Sequence, residues 1–267
     1  MSAALSTPDN DAPTGVRRIT TADLDWALHE GWSDFQDKRG DLIFVALLYP
    51  AIGLIAAAFA LNDAALPLIF PFAAGLSIFG PAAASGFYEL ARRREAGLES
   101  SWRHFFDPMR GKQGSTILML TIGLGVLFLM WLGTAYAIYA VTMGPDFPTG
   151  VSSFIERVFT TTEGWTLIVL GNLAGAVFAV ITLMTTLVSF PMAVDRDVDP
   201  GHAVQTSLRA VAANPGIVAG WGLRVGVLLV LGAIPAFVGL AVVLPVLGYA
   251  TWHLYTRMVE PSPTPRD

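Results

Sequence analysis

Six long apolar runs alternate with polar stretches along this chain, roughly Leu42–Leu61, Leu66–Tyr88, Ser115–Val141, Trp165–Phe190, Gly216–Ile234 and Ala236–Thr256. A helix rising about 1.5 Å per residue needs roughly 20 apolar residues to cross a hydrocarbon layer about 30 Å thick, and these runs approach or exceed that length. The first two are joined by Asn62–Ala65 and the last two meet around Pro235, so each pair predicts a tight helical hairpin. The pattern predicts an all-α fold: a polytopic membrane helical bundle with six transmembrane helices plus amphipathic interfacial helices.

The polar stretches carry helical patterns of their own. Leu24, Leu28, Trp32 and Phe35 recur at helical spacing, with Asp25, Glu30, Asp34 and Asp37 elsewhere on the wheel. This predicts an amphipathic helix at the membrane surface or against the bundle, with Trp26 and Trp32 at the wet border. Val151, Phe154, Ile155, Val158 and Phe159 form a second stripe, where Ser153 and Glu156 suit a capping box and Thr149 offers an earlier start. Glu89–Lys112 is arginine-rich, carries Trp102, Phe105 and Phe106, and reads as a segment facing lipid headgroups.

Between the fourth and fifth runs, Asp195, Asp197 and Asp199 alternate like the first ligands of a calcium loop. Such a loop also needs a glycine at its sixth position and a closing glutamate at its twelfth. Pro200 and Thr206 stand there instead. The stretch is better read as an elbow: Asp199 caps a short helix, Pro200 opens it, and Asn214-Pro215-Gly216 ends it. Ala203, Val204, Ser207, Leu208 and Val211 are expected to face the protein, with His202, Gln205, Thr206 and Arg209 in water.

Composition agrees with the pattern. Of 267 residues 54% are hydrophobic and 14% charged, where a soluble domain carries about 25% charged residues. No stretch outside the apolar runs is expected to build a core of its own. The expected organisation is a disordered tail over 1–20, an amphipathic helix over 21–40, the membrane domain over 41–257 and a second tail over 258–267. Met1–Gly40 holds no apolar h-region, so no signal peptide is expected.

Of the 16 basic residues, 14 fall in the N-terminal segment, in the loops after the second and fourth runs, and in the C-terminal tail. The opposite loops hold only Arg157, and Arg224 lies within a run. The positive-inside rule therefore predicts a multi-pass protein with N- and C-termini in the cytoplasm. The expected partners are a bilayer with anionic headgroups at that face and a membrane-protein complex. Nucleic acid is not expected, because the arginine cluster lies between membrane runs.

The motif "SFPMAVDRDVDPGHAVQTSLRAVAANP", followed by "GWG" and "LPVLGYATWHLYTRMV", resembles an uncharacterised family of bacterial predicted integral membrane proteins. The N-terminal "WALHEGWSDF" fits the same family. The resemblance implies a six-span protein of the bacterial inner membrane with cytoplasmic termini, and it brings no established activity. Tyr249 stands where the family pattern leads one to expect a histidine, leaving His253 alone there. Some members carry the label cytochrome c oxidase subunit I. Two haems and a copper would need several histidines within spans. This chain has four in all, and only His253 is near a run.

The remaining candidates are polar residues and close-packing glycines. Arg224 is the basic residue inside a run, expected to snorkel or face the bundle, or else to hold an anionic solute or headgroup. Asn172 sits inside Gly171–Gly175, and Gly222 and Gly226 repeat that spacing, which suits helix packing with an amide bond across the contact. His253 is expected to hydrogen-bond locally beside Trp252 and Tyr255. Pro50, Pro67, Pro71, Pro81 and Pro245 bend or break runs. A faint parallel repeat links Pro81 and Pro191, each preceding an elbow that ends in a proline. The chain has no cysteine, no Walker, Rossmann, GxSxG or HExxH pattern, and no carboxylate pair within a run. No enzyme activity, cofactor or metal is therefore expected. The leading expectation is a non-catalytic membrane protein that organises or assembles a larger complex; the alternative is a small-solute or lipid-headgroup transporter or channel using Arg224 and the bent spans.

Overall fold

The computed structural model describes residues 14–37, 66–111, 113–144, 150–235 and 238–261. The first apolar run lies outside the described residues. The elements in chain order are α1 (Thr21–Asp37), α2 (Leu66–Leu76), a 3-10 turn (Ser77–Phe79), α3 (Gly80–Glu95), a second 3-10 turn (Trp102–Phe106) and α4 (Asp107–Arg110). They continue with α5 (Gly114–Met143), α6 (Val151–Thr160), α7 (Thr162–Thr186), α8 (Ser189–Asp195), α9 (Pro200–Ala213), α10 (Pro215–Ala233) and α11 (Leu240–Met258). No β-ladder is present among the described residues; one isolated antiparallel bridge joins Val16 to Val259.

Among the described residues four stretches are long and apolar enough to cross a membrane: Phe70–Glu95, Gly114–Met143, Thr162–Asp195 and Pro215–Ala233. They correspond to four of the expected runs. The last expected run behaves differently. In α11 only the first half is apolar and half-buried; from Pro245 to Tyr255 nearly every side chain is buried, including His253.

The deepest core therefore lies at one end of the bundle. Trp221, Trp252, Tyr249, Tyr255, Phe190, Leu24, Leu90 and Leu254 are among the largest fully buried side chains. They come from α1, α8, the end of α3, the start of α10 and the second half of α11. Leu24 and Leu90 come from outside the apolar runs and join this core, which is shared with the ends of the runs rather than built by a separate domain. The amphipathic pieces and the ends of the long helices together form a packed cap, while the long helices turn much of their apolar surface outward.

Small residues set the approach of α1 to α11. A methyl group placed on Gly31 would stand 2.7 Å from the Ala250 nitrogen and the Val246 oxygen. The buried face of α1 is consequently Leu24, Ala27, Gly31, Asp34 and Phe35. The expected stripe is displaced: Trp32 is exposed, and Asp34, expected on the polar side, is buried. Arg257 lies over the Trp26 ring at 4.0 Å, closing the other end of the contact by a cation–π interaction.

The terminal segments join the same cap. Arg17 donates its N–H to the Met258 carbonyl at 2.8 Å, and Glu260 donates to the Gly15 carbonyl at 3.1 Å. Asn214 holds the segment from below, accepting from the Ile19 N–H at 2.9 Å and donating to the Arg17 carbonyl at 3.0 Å. Residues 14–20, expected in a disordered tail, are thus bound to the fold, and both ends of the described chain lie at the same end of the bundle.

In the apolar half, Trp131 of α5 is the packing centre. It donates to the Pro71 carbonyl at 2.6 Å, sits against Gly75 and Gly175, and meets Phe178 with ring centroids 5.6 Å apart. α6 begins at Val151 without a side-chain cap, and Ser153 donates to the Gly150 carbonyl at 3.0 Å. The capping box expected there is not formed.

A prediction follows from the α1 contact. Gly31→Ala should destabilise the protein by about 1–3 kcal/mol, because the added methyl meets rigid backbone. Gly123→Ala should be neutral or mildly stabilising, since nothing described lies within 4 Å of that position and alanine favours helix. Thermal unfolding in lipid discs checks the pair, and equal melting temperatures would contradict the contact.

Candidate functional site

The charged residues converge at the cap, where α1, the end of α3 and the second half of α11 meet. His253 lies between two carboxylates, with Nε2 2.9 Å from Asp34 and Nδ1 3.1 Å from Glu95. Both ring nitrogens face carboxylate oxygens, so the arrangement is complete when both carry protons. The other oxygen of Asp34 is 2.8 Å from Arg94, and Arg94 also pairs with Asp37. Trp26 stands edge-on to the imidazole at 5.6 Å between ring centroids. His253 and Asp34 are 6% and 5% exposed, so both charges must be compensated in place.

Burial pushes the imidazole down, but the hydrogen bonds to Asp34 and Glu95, together with their charges, outweigh it and hold its pKa up at about 9. The ring is therefore an imidazolium at neutral pH. The expectation of purely local bonding beside Trp252 and Tyr255 is corrected: the partners lie far away in sequence on two other helices.

A second cluster ties the elbow to the C-terminal segment. Tyr255 donates to Asp195 at 2.8 Å. Arg196 donates through Nη2 to Asp195 at 3.0 Å, to the Tyr255 hydroxyl at 3.0 Å and to the Glu260 carbonyl at 3.2 Å. Burial, then the Asp195 charge, pushes the Tyr255 phenol far above its ordinary value, so it remains a donor. A cleft of about 180 Å³ lies between the clusters, lined by Glu95, Asp195, Arg196, Tyr255, Thr256, Val259 and Pro261.

The elbow helix forms as its sequence predicts. The Asp199 side chain accepts from the Gly201 N–H at 2.8 Å and Pro200 opens α9. Its buried face is rotated from expectation, because Thr206 is fully buried while Leu208 is exposed. The reason is polar: the Ser207 hydroxyl donates to the Met184 carbonyl at 2.8 Å and accepts from the Val188 N–H at 3.2 Å. Those bonds bridge the break between α7 and α8 and fix which side of α9 turns inward. Asp195 belongs to the buried cluster, and Asp199 to the helix cap. Among the described residues no group of three His, Asp or Glu side chains is placed to hold a metal ion.

The other candidates are placed apart. Arg224 donates to Asp25 of α1 at 2.8 Å, a partly exposed ion pair at the cap rather than a charge within the apolar half. Asn172 donates to the Ile168 carbonyl of its own helix at 2.8 Å and makes no bond across a helix contact among the described residues. Of the four glycines, Gly175 faces Trp131 and Gly222 faces Leu183, while nothing described lies within 4 Å of a methyl placed on Gly171 or Gly226. The sequence reading missed Asp34, Glu95, Arg94, Arg196 and Tyr255. Their visible signal was the acidic helix facing an arginine-rich helix end.

Helices of this length and apolarity under a charged, packed cap define an integral membrane protein. Residues 68–195 match the family model "Predicted integral membrane protein (DUF2189)", in agreement with the resemblance to an uncharacterised membrane family. No curated protein and no solved structure matches the chain.

The raised imidazole has a consequence for stability. A histidine held above its unfolded value of 6.5 stabilises fully below that pH, and the contribution is lost as pH rises through about 9. The melting temperature should fall between about pH 7 and about pH 10, and His253→Gln should start lower and lose most of that slope. A wild-type melting temperature that is flat across the range would contradict the buried imidazolium.

Proposed function

We propose that this protein is a non-catalytic component of the bacterial inner membrane that organises or assembles a larger membrane complex, with both termini in the cytoplasm. The observation that carries the reading is the outward face of α7. Almost none of its apolar length is buried by the described residues, although it lies in a multi-helix protein with a tightly packed cap. Gly171 and Asn172 lie on this helix and leave room for another helix to approach closely. The open position at Gly226 on α10 offers a second such place.

Several features support the membrane layout. The basic residues gather at the end that holds both terminal segments, which the positive-inside rule assigns to the cytoplasm. Six crossings are the proposed count, adding to the four long stretches the apolar run 42–61 and the last apolar run, which returns the chain from the end of α10 to the cap. The transport alternative is less favoured, because Arg224 lies beside Asp25 at the cap rather than along the apolar half.

The test uses the open glycines. Gly171→Leu and Gly226→Leu should leave the melting temperature of the isolated protein within about 0.5 kcal/mol equivalent, as substitutions away from packed groups do. The same variants should strip partner proteins from the complex recovered in mild detergent. Wild-type protein that purifies without stoichiometric partners, or a complex indifferent to both leucines, would overturn the assembly reading.

A further inference from the structure

We propose that the segment between α3 and α5, residues 98–110, is a preformed anchor that inserts into the anionic leaflet of the bilayer. It goes beyond the assembly reading and needs only that the protein is integral to the membrane.

The segment is fixed on its inner side. After Glu95 the chain turns through Gly97, whose φ of 67° suits glycine, and folds back along α3. Phe105 seats directly on Gly86, where an added methyl would stand 2.4 Å from the ring. It also meets Phe87 with ring centroids 5.0 Å apart. Gly86 lies nine residues before Glu95, about 13 Å along a helix, so the fold-back carries the segment toward the apolar half. Polar ties hold it there. Ser100 donates to the Leu90 carbonyl at 3.0 Å, Arg93 donates to the Glu99 carbonyl at 2.7 Å, and His104 lies 2.7 Å from Asp107.

The outer side presents what a bilayer surface would take up. Leu98, Trp102, Phe106 and Met109 are exposed, with Trp102 at 55%. Four large apolar side chains in so short a stretch is a strong departure from a water-facing loop. The patch is continuous with the exposed start of α5: a methyl on Gly114 would lie 2.6 Å from the Met109 carbonyl, and Leu118 and Met119 are exposed just beyond. Tryptophan and phenylalanine at that height match the headgroup boundary. The charge matches as well. From Glu89 to Lys112 the chain carries six basic and four acidic residues, and Arg103 and Arg110 are exposed beside the apolar patch. Arg103 pairs with Glu99 at 3.0 Å, but both are about two-thirds exposed, a pairing weak enough to yield to a headgroup. The occupant is therefore the anionic leaflet, rather than a second copy or a protein partner.

The chain contains no cysteine, so single-site nitroxide labelling is direct. Labels at Trp102→Cys, Phe106→Cys and, as an aqueous reference, Glu260→Cys are compared in lipid discs of phosphatidylglycerol mixed with phosphatidylcholine. At the first two positions collisions with oxygen should exceed those with a water-soluble nickel chelate; at the reference the order should reverse. In Arg103→Gln and Arg110→Gln backgrounds the ratio of inserted to uninserted segment at a fixed phosphatidylglycerol fraction should fall about fivefold for each arginine removed. Because those arginines are exposed, folding is monitored independently by the melting temperature. Nickel accessibility at residues 102 and 106 equal to that at 260 would overturn the anchor. So would label–label broadening showing that a second copy covers the patch, or insertion that ignores lipid charge.

Discussion

Burying a carboxylate and an imidazolium in the same small volume costs several kcal/mol for each ion unless their partners are fixed. Here the partners come from three helices far apart in sequence. Asp34 arrives on α1, Arg94 and Glu95 on the end of α3, and His253 on α11. Each charge is satisfied only if the other two helices are in place, so the junction couples elements that local structure would leave independent. Gly31 makes the approach possible by letting the α1 backbone reach that of α11, and the aromatic layer of Trp221, Trp252 and Tyr255 closes around the result.

The cap and the long helices divide the work of folding. At the cap, hydrophobic burial and hydrogen bonding act as they do in a soluble core, and the ends of the chain are bound into it through Val16 and Val259. In the apolar half, packing concentrates on a few points such as Trp131 between Pro71, Gly75 and Gly175, and large faces of α5 and α7 remain outside. The proposed assembly role rests on this division between a packed base and outward-facing helices. The segment carrying Trp102 and Phe106 is the proposed attachment to the lipid surface.

Much of this arrangement is legible in the sequence, and what is not has identifiable causes. Long apolar runs report helices that can cross a membrane because length and hydropathy are local properties. The Asp199-Pro200 start of α9 was legible because a cap is made within a few residues. The inward face of α1 was not, since Ala27 and Gly31 carry little hydrophobic signal and Asp34 is buried only because Arg94 and His253 are waiting for it. The same holds for α9, where Ser207 and Thr206 turn inward to groups that local periodicity does not reveal. His253 and Asp195 stood out as residues, but their chemistry depends on long-range partners. Gly171 and Gly226 show the converse: a close-packing pattern was visible, while the described chain supplies nothing to pack there.

The central claim is that α1 is a structural member of a charge-locked cap rather than a helix resting separately on the membrane surface. Hydrogen exchange of the intact protein in lipid discs tests this most directly. The account predicts that amides of α1, α9 and the second half of α11 exchange at one common slow rate, and that His253→Gln speeds all three together. Rapid exchange of α1 while α9 and α11 stay protected, in either protein, would contradict it.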